Sequence, residues 1–280
     1  MDFISTNVEV SIVIINYNTF ALTCDCIKSI VKMTSGLKYE IIVVDNNSTE
    51  LPASEFKREF QDIILIESPI NVGFAKGNNL GITHSSGKYI LLLNSDTVLL
   101  NDAISHSMNF LEREQGVGVV SAKLEYPDGR VQHNCQRFPS IRYKLFELLR
   151  LQKILGKSCS GKILFGPFFD YKSVAYPDWV WGTFFMFRRN LLEQLPSRKL
   201  ADDFFMYVED VQWCMDFRLM GYQIAFLPTA RVLHLMGGSG AGKNEWMKKN
   251  MNQFIERYSW VKRILIRFLD YMLQTRFKYL

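Results

Sequence analysis

The chain has 280 residues, of which 48% are hydrophobic and 22% are charged, with a formal net charge of +5. This balance is typical of a folded soluble protein and excludes a low-complexity or disordered chain. Five scattered cysteines without a Cys-x-x-Cys pair argue against a disulfide framework and predict reduced thiols in the cytoplasm. We expect neither a signal peptide nor a membrane span, because no uncharged apolar run reaches about 18 residues.

The positive charge is concentrated at the C-terminus. Residues 243–280 contain nine Lys or Arg and three acids, so the preceding 242 residues sum to about −1. We therefore predict a main domain of residues 1–242 and a basic, amphipathic helical tail of residues 243–280. Aromatic and aliphatic residues mixed with lysine and arginine in this tail fit an interfacial helix on an anionic membrane. Packing against the main domain or in a dimer is the alternative. No nucleic-acid-binding module is visible.

Apolar strands alternate with helical patterns through the first half. The predicted strands are 10–16, 39–45, 63–67 and 89–94, and the predicted helices are 21–33, 52–60 and 102–114. Alternation at this spacing predicts right-handed βαβ units, and hence an α/β fold with a mostly parallel central sheet flanked by helices.

Two of these strands end in an acid. Asp45 closes the second strand, and Asp96 follows the buried run Tyr89–Asn94. Ligands of open α/β sheets bind beyond the carboxyl ends of the strands. There Asp45 can accept hydrogen bonds from a base or ribose, and Asp96 can hold a divalent cation against an anionic ligand. The alternative for Asp45 is a helix N-cap, and the alternative for Asp96 is a helix cap or the closure of a turn.

A glycine-rich motif covers residues 71–81, with glycines at positions 73, 77 and 81. On a helix this spacing places them on one side, where a ligand or another backbone can approach closely. A plain packing helix is the alternative. The motif matches neither the phosphate loop nor the dinucleotide fingerprint, which disfavours a dehydrogenase.

The second half carries aromatic and acidic clusters. Strands are predicted at 117–122, 183–187 and 223–227. The basic, leucine-rich segment 141–165 is either a surface helix or a contact for a membrane or lipid-linked ligand. Trp179 and Trp181 suggest a flat wall for a ring-shaped ligand, or else buried core.

Four acids fall between residues 202 and 210, around an aromatic cluster. Aromatic side chains that exclude water raise the pKa of a nearby carboxylate and make it a usable base, although two of these acids could instead cap a helix. His234 follows the predicted strand and precedes the glycine loop 237–240, which makes it a candidate ligand.

Taken together, the sequence resembles family 2 glycosyltransferases, in the branch that contains the bacterial rhamnosyltransferases of polysaccharide and O-antigen assembly. The matching motifs are Val-Ser-Ile-Val-Ile-Ile-Asn-Tyr-Asn18, Val-Val-Asp-Asn-Asn-Ser48, Asn71-x-Gly-Phe-Ala-x-Gly-Asn-Asn79, Leu-Leu-Leu-Asn-Ser-Asp96, Asp178-Trp-x-x-Gly182, Phe-Phe-Met-Tyr-x-Glu-Asp210 and His234. The resemblance implies a GT-A fold, with a nucleotide-sugar-binding half (1–122) and an acceptor and catalytic half (123–242).

The resemblance also implies roles for individual residues. Donor-binding residues would be Asn16, Tyr17, Asp45, Asn71, Gly73, Asn78, Asn94 and Asp96. Mg²⁺ or Mn²⁺ would be held by Asp96 and His234, because Asn94 stands where the family's Asp-x-Asp element has its first acid. Asp210 would be the general base, with Glu209 beside it. Acceptor-binding residues would be Trp179, Trp181 and Asp203.

These roles imply a metal-dependent, inverting glycosyltransferase. The expected donor is dTDP-L-rhamnose, and the expected acceptor is a lipid-linked saccharide of bacterial surface polysaccharide assembly. The protein would then be cytoplasmic and peripherally bound to the inner face of the cell membrane. A UDP- or GDP-sugar is the alternative donor. A non-catalytic nucleotide-sugar-binding component of an assembly complex is the alternative from another class.

Overall fold

A mixed sheet of eight strands forms the centre of the computed structural model, which describes residues 8–236 and 243–278. Its strands are β1 (Val10–Asn16), β2 (Tyr39–Asp45), β3 (Ile64–Glu67), β4 (Tyr89–Asn94), β5 (Thr97–Leu99), β6 (Val117–Glu125), β9 (Phe184–Arg188) and β10 (Gln223–His234). Their order across the sheet is β3-β2-β1-β4-β9-β6-β10-β5. A separate small sheet pairs β7 (Cys135–Gln136) with β8 (Trp179–Val180).

Helices cover both faces of the large sheet. They are α1 (Phe20–Met33), α2 (Glu55–Glu59), α3 (Phe74–Thr83), α4 (Ala103–Arg113), α5 (Ile141–Leu148), α6 (Gly156–Leu164), α7 (Glu209–Leu219), α8 (Lys243–Ile255) and α9 (Trp260–Lys278). Apolar side chains of α1 and α4 share one buried cluster with the sheet, and those of α3 and α7 share the other. The sheet is thus the middle of three layers, which explains the continuous hydrophobic runs in β1, β2 and β4.

The parallel register aligns the polar ends of three neighbouring strands. Asn16 at the end of β1 lies opposite Asp45 at the end of β2, and Ile15 lies opposite Asn94 at the end of β4. The predicted βαβ alternation therefore brings these side chains to one edge of the sheet.

Strand β9 runs antiparallel between β4 and β6. Its reversed direction places its beginning, not its end, at the same edge as the carboxyl end of β4. The amide of Asn94 donates to the carbonyl of Thr183, 3.0 Å away. Residues just before β9 are consequently close to the Asn94–Asp96 motif.

The prediction that the last long strand ends at Leu227 was wrong. Strand β10 continues to His234, with a register shift between Leu227 and Arg231. Pro228 lies within this irregularity and has no N–H for the ladder, so the strand bulges and then resumes. The continuation pairs His234 with Thr97 of β5. The glycine loop predicted at 237–240 lies outside the described residues.

The two tail helices pack on the main domain along one side. Phe254 of α8 is 1% exposed and Ile266 of α9 is fully buried, while Lys144 of α5 forms an ion pair with Asp270 of α9. The alternative prediction of packing against the main domain is confirmed for this face. Within the described ranges, no helix is long and apolar enough to cross a membrane. The domain boundary predicted after residue 122 falls inside β6, and the division into halves remains a prediction.

Candidate active site

The carboxylate of Asp45 is held by two hydrogen bonds at the ends of β1 and β2. Asn16 Nδ2 donates to its Oδ1 at 2.8 Å, and the amide of Ser48 donates to its Oδ2 at 3.0 Å. Asp45 is 5% exposed, and helix α2 begins only at Glu55, so it does not cap that helix. These contacts fix the direction of a carboxylate that the sequence assigns to the donor. Tyr17, beside Asn16, is 46% exposed and available to a ligand.

The glycine-rich motif fastens α3 to a distant loop. Gly73 has φ +83°, and a Cβ there would lie 2.4 Å from the carbonyl oxygen of Phe205. The amide of Phe74 donates to that same carbonyl at 2.8 Å. Glycine at position 73 is therefore required by a close backbone approach, which was one of the two explanations that the sequence offered.

The asparagine side chains of this motif are hydrogen-bonded within the protein. Asn71 Oδ1 accepts from Asn46 Nδ2 at 2.9 Å, and Asn78 Nδ2 donates to the carbonyl of Phe74 at 2.9 Å. Asn79 exchanges two hydrogen bonds with the backbone of Leu200. Donor binding by Asn71, Gly73 and Asn78 remains a prediction.

Asp96 and His234 meet although 138 residues separate them in the chain. His234 Nε2 lies 3.3 Å from Asp96 Oδ1, and the two residues are 5% and 6% exposed. The cap of helix α4 is Asp102, whose side chain accepts from the amide of Ser105, so the helix-capping alternative for Asp96 is wrong. A hydroxyl contact between Thr19 and Ser95, 3.1 Å long, joins this corner to the donor end of β1.

Gln132 determines which nitrogen of His234 carries hydrogen. Gln132 Nε2 donates to the carbonyl of His234 at 2.8 Å, so its Oε1 is the atom that faces His234 Nδ1 at 2.7 Å. A flipped amide would put two oxygens against each other. Nδ1 therefore donates to Gln132, and Nε2 is the ring nitrogen that faces Asp96.

The donor set at this corner fits a divalent cation. Asp96 offers carboxylate oxygen, His234 offers an oriented imidazole nitrogen, and the buried Oδ1 of Asn94 has no hydrogen-bond partner. In the part of the chain that the structure describes, no cluster of three or more His, Cys, Asp or Glu could hold a metal. Such a cation would thus need further oxygens from a ligand, as cations bound with substrate phosphates do.

Asp210, the predicted base, is half-buried at the start of α7. The amide of Gly182 donates to its Oδ2 at 3.0 Å, and the amide of Val211 donates to its Oδ1 at 2.8 Å. Burial raises the pKa of Asp210 to about 6, although these two N–H groups act in the opposite direction. The expected shift toward neutrality is confirmed, and its cause is loss of water.

Glu209, beside Asp210, is buried and has fewer partners. Burial, reinforced by the charge of Asp210, raises the pKa of Glu209 well above its usual range. Its Oε2 is buried without a hydrogen-bond partner. Two adjacent carboxylates with so little water around them disfavour double ionisation.

A strained turn precedes this acidic pair. Tyr207 and Val208 have φ of 67° and 78°, a region that β-branched residues such as valine seldom adopt. Asn250 of α8 donates from Nδ2 to the carbonyls of Met206 and Tyr207, at 2.8 and 3.1 Å. The tail thus holds the turn that aims Asp210. Sequence reasoning missed Asn250 and Gln132, since both act through contacts made only after folding.

Two of the predicted acceptor-binding residues, Trp179 and Asp203, lie on separate segments that both contact the tail. Trp179 Nε1 donates to the carbonyl of Arg137 at 3.0 Å, and Asp203 Oδ2 forms an ion pair with Arg257 at 2.9 Å. Trp179 and Trp181 are both half-buried and pack against the hydrophobic clusters. Their acceptor role remains a prediction.

Comparison with known families identifies the chain. The model of glycosyl transferase family 2 matches residues 11–174, more than half of the sequence. The chain belongs to this family. The matched region contains Asp45 and Asp96, whereas Asp210 and His234 lie beyond it.

Several relatives and solved structures resemble this family member. Poly(ribitol-phosphate) beta-glucosyltransferase of Bacillus spizizenii is 32% identical over 127 residues, which are 44% of this chain and 20% of that protein. Low-salt glycan biosynthesis hexosyltransferase Agl10 of Haloferax volcanii is 25% identical over 233 residues, 81% of this chain and 67% of that protein. The mannosyltransferase PcManGT from Pyrobaculum calidifontis, in complex with GDP-Man and Mn²⁺, superimposes with a TM-score of 0.61 at 18% identity, covering 93% and 69% of the two chains.

These likenesses confirm the expected GT-A fold of this family. The chain spans only 12–20% of the length of three bacterial relatives that it matches, among them the Bacillus spizizenii enzyme.

The orientation of His234 gives a testable consequence. We expect Gln132→Leu to weaken Mn²⁺ binding about 10- to 100-fold, because removing the partner of a ligating histidine releases its ring. Isothermal titration of Mn²⁺ in the presence of UDP measures this directly. Gln194→Leu, at an exposed glutamine bonded to Tyr222, is the matched control and should bind Mn²⁺ as the wild type does. Unchanged Mn²⁺ affinity in a folded Gln132→Leu protein would contradict the assignment.

Proposed function

We propose that this chain is a metal-dependent, inverting glycosyltransferase that transfers a sugar from a nucleotide-sugar donor to a lipid-linked saccharide. The observation that carries the proposal is one continuous arrangement. Asp210 accepts from Gly182, the neighbouring Thr183 accepts from Asn94, and Asn94 begins the motif that ends in Asp96. A half-buried candidate base and a candidate cation site are thereby joined through two adjacent residues, Gly182 and Thr183.

The chemistry needs both ends of this arrangement. The ionised Asp210 would take the proton of the acceptor hydroxyl as its oxygen forms the bond to the anomeric carbon. The bond from that carbon to the donor phosphate breaks, and the nucleoside diphosphate leaves with the electron pair. A divalent cation held by Asp96 and His234 would neutralise the charge on that leaving group. Attack opposite the leaving group inverts the anomeric centre without a covalent enzyme intermediate.

The donor is a nucleotide sugar, for which we propose dTDP-L-rhamnose on the basis of the sequence motifs. Asp45 is fixed by Asn16 and Ser48 and can accept from a base or ribose. Among structural neighbours, PcManGT was solved with GDP-Man and Mn²⁺, and GalNAc-T7 with UDP, GalNAc and Mn²⁺. UDP- and GDP-sugars are therefore the alternative donors. An imidazole ligand favours Mn²⁺ over Mg²⁺, which prefers oxygen and water.

A non-catalytic binding protein is the competing proposal. It would need Asp45 but neither Asp96 nor Asp210. The presence of both acids, one facing an oriented histidine and the other with a pKa of about 6, supports catalysis instead.

A donor screen tests the first half of the proposal. We expect one of dTDP-rhamnose, UDP-glucose or GDP-mannose to bind in the presence of Mn²⁺, and Asp96→Ala to weaken that binding at least about tenfold by removing a charge-assisted metal contact. Isothermal titration with and without Mn²⁺ gives both values. Asp62→Ala, at an exposed acid, is the control. Equal, Mn²⁺-independent binding by wild type and Asp96→Ala would rule out the metal corner.

The proposed base predicts a change in kcat and in the pH dependence of kcat. Asp210→Asn should lower kcat by about 10²–10⁴-fold with little change in donor affinity, because the amide cannot take a proton. In the wild type the carboxylate is ionised above its pKa of about 6, so kcat should rise with pH through 6 and fall below it.

Asp216 provides the control for this pH profile. Burial also raises its pKa to about 6, yet it lies on the later part of α7. Asp216→Asn should retain the acidic limb of the kcat profile. A normal kcat in Asp210→Asn, or loss of the limb only in Asp216→Asn, would refute the base assignment.

We also propose that the protein is cytoplasmic and docks on the inner face of the cell membrane through α9. The exposed apolar residues of this helix recur at helical spacing: Trp260, Val261, Ile264, Leu265, Phe268, Tyr271 and Met272. Lys262, Arg263 and Arg267 accompany them. A helix with an apolar stripe and flanking cations suits the headgroup boundary of an anionic bilayer.

Substitutions at two phenylalanines distinguish the buried face of the tail from its exposed face. Phe254→Ala should lower the free energy of unfolding by about 3–5 kcal/mol, because the ring is buried against Phe204, Val208 and Val211. Phe268→Glu, at a side chain 55% exposed, should change it by less than about 0.5 kcal/mol. Only Phe268→Glu should leave a folded protein that sediments poorly with phosphatidylglycerol vesicles. Urea unfolding and vesicle sedimentation check the two effects, and unchanged sedimentation would exclude docking by this stripe.

A further inference from the structure

A groove of about 380 Å³ lies between the tail helices and the acceptor half of the domain. Four cations line it, namely Arg137, Lys144, Lys248 and Arg267, against the single carboxylate of Asp270. The aromatic ring of Trp179 forms part of its wall. The chemistry of this lining differs from that of the donor corner, where carboxylates and amides predominate.

We propose that this groove binds the phosphate-bearing linkage of a prenyl-linked saccharide, the acceptor of the reaction. The assignment rests on the proposed function, which requires an acceptor hydroxyl beside Asp210.

Arg137 is preorganised as an anion anchor. Its guanidinium donates to the carbonyls of Ile163 and Lys162 at 2.8 and 2.9 Å and to Asp178 at 3.0 Å, and it lies 4.4 Å from the ring centroid of Phe165. These contacts use three of its five N–H groups. A guanidinium held in one orientation loses little entropy when its remaining donors bind a phosphate.

The other three cations of the lining differ in their ion-pair partners. Arg267 pairs with Glu256, which is not part of the lining, and Lys144 pairs with Asp270, which is. Lys248 is exposed, and no ion pair of this side chain occurs among the residues that the structure describes. Arg137, Lys144 and Arg267 each have a carboxylate partner, so the uncompensated positive charge of the lining is that of Lys248.

Trp179 links this groove to the base. Its indole N–H bonds to the carbonyl of Arg137, and Gly182, which donates to Asp210, follows three residues later. Three residues span at most about 10 Å, so a phosphate in the groove would leave the attached saccharide within reach of the base.

The apolar stripe of α9 lies directly beside the groove. At 3.6 residues per turn, Arg267, Tyr271 and Gln274 face the groove, and Ile264, Phe268 and Met272 occupy the adjoining, exposed side. Tyr271 belongs to both sides. A phosphate in the groove would thus place an attached prenyl chain on the stripe, which is the argument for a lipid-linked acceptor over a free phosphate.

Geranyl diphosphate is a short probe for this chemistry. We expect it to bind the full-length protein, without donor, at least about tenfold more tightly than geraniol or inorganic diphosphate, because two linked contacts reinforce each other. Lys248→Glu should weaken this binding about five- to tenfold by charge repulsion. Lys28→Glu, at an exposed lysine of α1, should bind the probe as the wild type does. Isothermal titration measures each affinity, and thermal unfolding verifies that both variants are folded.

Equal affinity for geraniol and geranyl diphosphate, or an unchanged affinity in Lys248→Glu, would overturn the assignment. Tighter binding of ribitol-phosphate oligomers than of geranyl diphosphate would overturn its lipid part. Mn²⁺-dependent nucleotide-sugar binding is measured on the same samples. A protein that binds geranyl diphosphate but no nucleotide sugar would refute the proposed function and leave the groove's ligand class standing.

Discussion

The hydrogen bond from the amide of Gly182 to the carboxylate of Asp210 is the contact on which the arrangement of the site depends. It ties the start of α7 to the segment before β9, and β9 is the strand inserted antiparallel beside β4. Because the amide of Asn94 donates to the next residue, Thr183, the position of Asp210 follows the position of the Asn94–Asp96 motif. A half-buried carboxylate that ionises near neutral pH needs such partners, since burial without hydrogen bonds would favour its neutral form.

Contacts away from this bond also hold the segment that precedes α7. Helix α3 is bonded at its start to Phe205 and, through Asn79, to Leu200. Asn250 of α8 holds the left-handed turn at Tyr207 and Val208 from the opposite side. The loop from Leu200 to Val208 is therefore held by α3 on one side and by α8 on the other. A conformation strained in this way persists only when its surroundings determine it from several directions.

Much of the donor side could be predicted from the sequence. The runs ending at Asn16, Asp45 and Asn94 are continuous and apolar, a pattern that only a strand buried on both faces explains, and parallel pairing must then collect their polar ends. Burial raises the pKa of Asp210 to about 6, which is the direction that the aromatic cluster predicted for a nearby carboxylate. The end of β10 could not be predicted, because Pro228 interrupts the pattern and the ladder resumes beyond it.

The sequence by itself determined the fold class and the family, since both follow from local periodicity and short motifs. Only the tertiary structure decided how the side chains of the candidate site are oriented. Gln132 reaches His234 across 102 residues, and Asn250 reaches Met206 across 44. The tail likewise has one face buried on the domain and another exposed, which composition cannot distinguish. Such contacts join residues far apart in the chain, and no local pattern records them.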